Sequence, residues 1–311
     1  EAPAMGGMSF GGDEGGEASG YQGYSGEGVD GEGDYEAYSG QTENISFDPL
    51  KVSVFEPQQR AIILWNGEEQ ILLLSTDQRA TEKSAVLEVI PLPSRPTVRL
   101  GSFATFEEAQ RLAVNRRMWR FASGSADIKV PDNAGRIDFH EKLGAHDLTV
   151  AEVLKPQGFI QFVQNHLREN YDTQKAPINP EFVGVIRSYL DQGFKWFAFD
   201  VITLDETLRS RDPIEYRFKS DHVFYPLRIS SMEKGKTNVD LLVFTSSGAS
   251  RFEDLPARDI KRLETVEVAQ REVEGLEKGW KNFFGGATNV KMDQWSVKGK
   301  SASLIRDIKA R

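Results

Sequence analysis

Two histidine–carboxylate pairs, His140-Glu141 and His146-Asp147, flank a glycine turn at Gly144. Imidazoles beside carboxylates are the residue types of general acid–base catalysis, because histidine exchanges a proton near neutral pH and a carboxylate can orient it. The same residues serve equally as polar strand ends satisfied by backbone or water, and that is the reading preferred here. The histidines His140, His146, His166 and His222 show neither H-E-x-x-H nor any other ligand spacing, and the chain has no cysteine; its one match to G-x-S-x-G, Gly7-Met8-Ser9-Phe10-Gly11, falls in the glycine-rich stretch, where no strand or helix pattern flanks it. No motif for zinc or thiol chemistry is present, and a G-x-S-x-G without a flanking strand and helix pattern does not make a nucleophile elbow. Asp200, at the end of the aromatic run 194–199, is the most isolated carboxylate in an apolar setting. Arg217 or Arg228 on a neighbouring strand is expected to make a structural ion pair with it.

The acidic N-terminal segment carries partial matches to two ligand motifs. Residues 26–31 match G-x-G-x-x-G, but no strand precedes them, and Glu27 and Asp30 would repel a pyrophosphate. Asp30, Glu32 and Asp34 have the alternating spacing of a calcium loop, yet Tyr35 stands where the turn needs glycine and Gln41 where a glutamate should close the site. A solvated acidic run is preferred, leaving weak calcium contact as the residual cofactor expectation; no catalytic, cofactor-binding or metal residue is assigned.

Charge is the stronger signal. The 311 residues carry 47 acids against 38 bases, but residues 1–50 hold eleven acids and not one lysine or arginine. Residues 51–311 are therefore nearly neutral, with 36 acids and 38 bases. A nucleic-acid partner, which calls for a basic face, is argued against. No apolar run approaches the ~20 residues that cross a bilayer, so a membrane-embedded helix is not expected. Thirteen of the 28 glycines fall in the first 40 residues, a composition that cannot offset its ordering entropy alone. Within this arm Tyr21-Gln22-Gly23-Tyr24-Ser25-Gly26 returns as Tyr35-Glu36-Ala37-Tyr38-Ser39-Gly40. Such rings can extend along another surface. Tyr21, Tyr24, Tyr35, Tyr38 and Phe47 are the candidate docking residues. Arg116, Arg117, Trp119 and Arg120, a basic and aromatic cluster at a helix end, are the local acceptor expected for an acidic arm. The start Glu1-Ala2-Pro3 reads as a processed end and Asn44-Ile45-Ser46 as a glycosylation sequon, both in keeping with export.

These residues are positioned by an expected α+β body. Strands are read at 52–55, 61–65, 70–75 and 85–92, with Asn66-Gly67 as a hairpin turn. Pro91, Pro93 and Pro96 are expected to stop the sheet. A helix follows over 103–120, with Phe106, Ala109, Leu112 and Ala113 on one face. Further expectations are a strand over 146–154, a helix over 157–170, and a helix capped by Asn179 and ended by Gly193. Strands are then read at 194–203, 214–219, 222–230 and 239–245, a charge-laced helix at 256–279, and turns with a short polar helix from Phe283. The pairing expected is mainly antiparallel. The division read is an arm over 1–50, a body over 51–250 with possible lobes 51–122 and 136–250, and a C-terminal helix and extension over 251–311.

Residues 57–65 and 90–94, Gly144-Ala145-His146-Asp147, the block 189–200, Pro213-Ile214-Glu215-Tyr216-Arg217-Phe218 and Phe224-Tyr225-Pro226-Leu227-Arg228-Ile229 together resemble a bacterial and archaeal domain of unknown function, number 2330, across 55–247. The resemblance implies an exported protein and no catalytic residues. The leading expectation is a non-enzymatic extracellular protein that assembles with copies of itself into a filament, tube or layer through the arm. The alternatives are a monomeric cell-surface module for glycan or calcium, and an enzyme using the histidine–carboxylate cluster near Gly144.

Overall fold

Asn66-Gly67 turns strand β1 (Val54–Trp65) back into β2 (Glu69–Ala80), and the pair is antiparallel from Trp65 opposite Gln70 onward. The turn is held by Asn66 Oδ1, which accepts from the amides of Glu68 and Glu69 at 3.0 and 2.9 Å, and Gly67 takes a φ of +102° that favours glycine. The computed structural model describes residues 53–116, 142–143, 146–153, 160, 180–249, 251–253, 255 and 259–311. The arm, Arg117, Trp119, Arg120, His140, Glu141, His166, Asn179 and nearly all of the helix expected over 157–170 lie outside them.

The hairpin is the middle of a large sheet ordered β12-β13-β11-β1-β2-β9-β4, with the short β8 (Arg209–Ser210) also on β2. Its other members are β4 (Thr97–Leu100), β9 (Ile214–Lys219), β11 (Lys236–Thr245), β12 (Lys261–Ala269) and β13 (Asn289–Lys300). Among these strands β1 and β11 run parallel, Gln58 opposite Asn238 through Trp65 opposite Thr245, and the other pairs are antiparallel. The fold is thus α+β with mostly antiparallel sheets, as expected.

Side chains alternate across the large sheet, and both faces are covered. Ala61, Ile63, Leu72, Leu74, Leu241 and Trp295 join one core cluster; Ile62, Leu64, Ile71, Leu73, Leu242 and Met292 join another. The first core is closed by a second sheet, β3 (Ser84–Leu92), β7 (Trp196–Leu204), β6 (His146–Glu152) and β5 (Lys142–Leu143), and by helix α2 (Pro180–Asp191). The second is closed by helix α1 (Phe103–Asn115) and by Trp280, Phe283 and Phe284 after the short helix α3 (Gln270–Glu274).

Local chemistry explains the helix ends. Ser102 Oγ accepts from Ala104 N at the start of α1, which closes at Asn115 with Arg116 as C-cap, not at Arg120. After α2, Gly193 N donates to Leu190 O and Phe194 N to Tyr189 O, with Gly193 at φ +89°. That pair of bonds is a Schellman stop.

Three expectations are corrected. Pro91 lies inside β3, opposite Phe197; β3 is an edge strand, so the missing N–H leaves no partner unmet. The strand expected over 222–230 is only β10 (Val223–Tyr225), because Pro226 ends it and a 3-10 turn, Leu227–Met232, follows. The C-terminal helix expected over 256–279 is instead the strand β12 leading into the five-residue α3, and the turns expected after Phe283 give way to the twelve-residue β13. Thr265, Val266 and Val268 favour a strand through their branched side chains, and β13 buries Val290, Met292, Trp295 and Val297 between its neighbours.

Candidate functional site

Two Lys-Gly-Lys motifs meet where β11 begins and β13 ends. Lys236 lies opposite Lys300, and Lys298 lies opposite Asn238 in the antiparallel register. Gly235, at φ +89°, carries the chain from Lys234 into β11. Lys234 N donates to Val54 O at 2.9 Å and Ser301 N to Gly235 O at 3.1 Å, fixing the two motifs against each other. Lys234, Lys236, Lys298 and Lys300 are all exposed, and none makes a side-chain hydrogen bond or ion pair with a described residue. Like charges directly opposite on a sheet are unfavourable, so the patch is an unmatched positive surface.

Several arginines elsewhere on the body are matched by acids. Arg60 binds Asp77 bidentately at 2.9 and 2.6 Å, and Arg217 reaches Glu69 at 2.6 Å. Arg116, expected as an acceptor for the arm, already donates to both carboxylate oxygens of Glu272, at 2.8 and 2.6 Å. That ion pair holds the Glu272 carboxyl below the usual range. Sequence reasoning missed the lysine patch; each Lys-Gly-Lys is visible in the sequence, but only the strand register brings them together.

The enzyme-like residues are arranged structurally. Asp200 pairs with His146, not with Arg217 or Arg228, and the ring's other nitrogen lies 3.1 Å from the carbonyl oxygen of Asp212. Both nitrogens are thus engaged, and the His146 and Asp200 side chains are 3% and 6% exposed, which leaves no face for a substrate. Arg228 instead sits over the Tyr189 ring and donates its backbone N–H to Asp307. His222 lies beside Asp221, its Nδ1 2.5 Å from the carboxylate. Among the described residues no cluster of histidine and carboxylate side chains is placed to hold a metal ion.

A cavity of about 70 Å³ opens beside β3, at the edge of the second sheet. Glu56 from the β1 bulge, Glu88 from β3 and Glu233 from the end of the 3-10 turn contribute carboxyls to its wall. Gln59 and Gln78 donate to the Glu56 carboxylate at 2.8 and 2.7 Å, and Tyr225 Oη donates to Gln59 Oε1 at 2.6 Å. Burial pushes all three carboxyls up, and the charge of Glu56 raises Glu88 and Glu233 further.

The family model described as an uncharacterized protein conserved in bacteria, DUF2330, matches residues 50–299. The chain belongs to the DUF2330 family. The match takes in both sheets, the double Lys-Gly-Lys patch save Lys300, and the cavity. An exported, extracellular or cell-surface location accords with membership. No curated protein matches the sequence. Among solved structures, baculovirus P35 is similar at a TM-score of 0.41 and 8% identity, covering 85% of this chain and 98% of that one. The caspase-8/P35 complex is similar at 0.34 and 8% identity, covering 82% of this chain and 96% of that chain. Likenesses at this level transfer nothing of those proteins' activity to the DUF2330 protein.

Proposed function

We propose that the protein is a non-enzymatic, exported structural protein that assembles with copies of itself, the acidic arm of one copy docking on the double Lys-Gly-Lys patch of the next. The observation that carries this is the patch: four exposed lysines that make no side-chain hydrogen bond or ion pair with a described acid, in a chain whose first 50 residues hold eleven acids and no base. Each side supplies what the other lacks. Release of two unmatched surfaces from self-repulsion favours the contact, and the tyrosines of the arm add apolar area along it. A head-to-tail contact of this kind propagates into a fibre or layer unless it closes into a ring.

The test is electron microscopy of the full chain, a variant lacking residues 1–45, and a Lys234→Gln, Lys236→Gln, Lys298→Gln, Lys300→Gln variant. Polymers in the full chain and none in either variant are expected. Polymers that persist in both variants overturn the reading.

A further inference from the structure

The cavity beside β3 is chemically unlike the lysine patch and goes beyond the assembly reading. Glu56 accepts from the amides of Gln59 and Gln78, with the Ser230 hydroxyl also bonded to it, and that arrangement fixes Gln78. With its Nε2 donating to Glu56, Gln78 keeps Oε1 buried in the cavity wall and without a hydrogen-bond partner among the described residues, at 2% exposure for the residue. Glu88 and Glu233, half-buried because they face the cavity, make no side-chain hydrogen bond or ion pair with a described residue. Arg211 and Lys234 temper their charge, but the described wall itself contains no lysine, arginine or histidine. The remainder is apolar, with Leu74, Ile90, Phe182, Ile229 and Met232 among it.

Three unpaired acceptors and an apolar wall select a ligand with several N–H donors, a positive charge and a slim hydrocarbon body. A divalent ion fits poorly, since these carboxyls are not gathered into a metal-holding cluster. The arm is excluded as occupant because it has no lysine or arginine. By volume the cavity holds roughly five water-sized groups.

We propose that this cavity binds a small primary alkylammonium, its N–H donors met by Glu88, Glu233 and Gln78 Oε1. Burial favours the protonated form of both glutamates and the ammonium favours the charged form, so binding is coupled to proton release.

Isothermal titration of the full chain at pH 8 with n-butylammonium chloride, n-butanol and calcium chloride tests this. Saturable binding of n-butylammonium with heats that differ between buffers of different ionisation enthalpy is expected, n-butanol binding at least tenfold more weakly and calcium giving none. Glu88→Gln and Glu233→Gln are expected to weaken the amine at least tenfold while keeping the circular dichroism of the parent. No amine binding, equal binding of amine and alcohol, preference for calcium, or unchanged affinity in both folded variants overturns the proposal. The amine–alcohol comparison on the unsubstituted protein decides it even if a variant fails to fold.

Discussion

His146 and Asp200 meet side chain to side chain in the interior, Nδ1 against carboxylate Oδ2, while the far ring nitrogen faces the carbonyl of Asp212. A carbonyl only accepts, so Nε2 carries a proton, and the contact with Asp200 needs a second one between the two side chains. Asp200 Oδ1 has no hydrogen-bond partner among the described residues. The pair ties β6 to β7 and to the segment before β9. His146→Ala leaves a buried carboxylate alone and is expected to destabilise the protein by about 3–5 kcal/mol, read as a lower midpoint in urea. An unchanged midpoint would show that the pair is not structural.

Asp307 predicts a pH dependence. Its carboxyl is buried, accepts from Tyr189 Oη at 2.7 Å and from Arg228 N at 2.9 Å, and has a pKa pushed up to about 6 by burial. The folded state therefore keeps a proton that the unfolded chain gives up near pH 4. Stability from this group is full below pH 4, declines as pH rises through about 6, and is flat above, a change of about 3 kcal/mol. Glu56, Glu88 and Glu233, raised in the same direction, act with the same sign. Asp307→Asn is expected to flatten the fall between pH 4.5 and 6.5, measured by urea unfolding at each pH. A slope identical to that of the parent would contradict the assignment.

Glu215 gathers the second core. It accepts from Arg99 Nε and Nη2, each at 2.7 Å, and from the indole of Trp280 at 2.8 Å. Trp280 is fully buried and Glu215 is 4% exposed. Glu215→Ala strips both donors of their acceptor at once, and a loss of about 3–5 kcal/mol is expected. Tryptophan fluorescence should report the change alongside the denaturation midpoint.

Ionic strength separates two kinds of arm docking. A contact made by carboxylates on lysines should weaken strongly between ~0.05 and ~0.5 M salt, as the screening length falls from about 14 to about 4 Å. Tyrosine-led docking should hardly respond. Turbidity or sedimentation of the assembled protein across that range tells them apart, and Lys236→Glu should imitate high salt at low ionic strength.

Features set by neighbouring residues were legible in the sequence. Asn66-Gly67, the face of α1 carrying Ala109, Leu112 and Ala113, and Gly193 after α2 lie where local chemistry places them. Features set by distant pairing were not. The 256–279 segment mixes period-two spacing at Val266 and Val268 with helix-like spacing at Val273 and Leu276, and only pairing with β13 decides for a strand over its middle. Asp200 stands out in the sequence as a carboxylate in an apolar run, but its partner lies on the adjacent β6, not on β9 with Arg217 or on the 3-10 turn with Arg228. Glu88 reads as an unremarkable polar residue in an apolar strand until the cavity beside it is known.

The parallel pairing of β1 with β11 also sets an order of events. The amino-terminal hairpin cannot gain its inner neighbour until residue 245 has been made, and β11 in turn stays an open edge until β13 reaches Lys300. Contacts so distant along the chain make folding slow, and the waiting hairpin exposes apolar strands that invite the wrong partner. Loss of residues 288–311 would remove all of β13 and leave β11 unpaired on that side. The sheet is thus completed only once β13 has been made, and a chaperone that shields β1 and β2 should raise the yield more than one acting on the finished body.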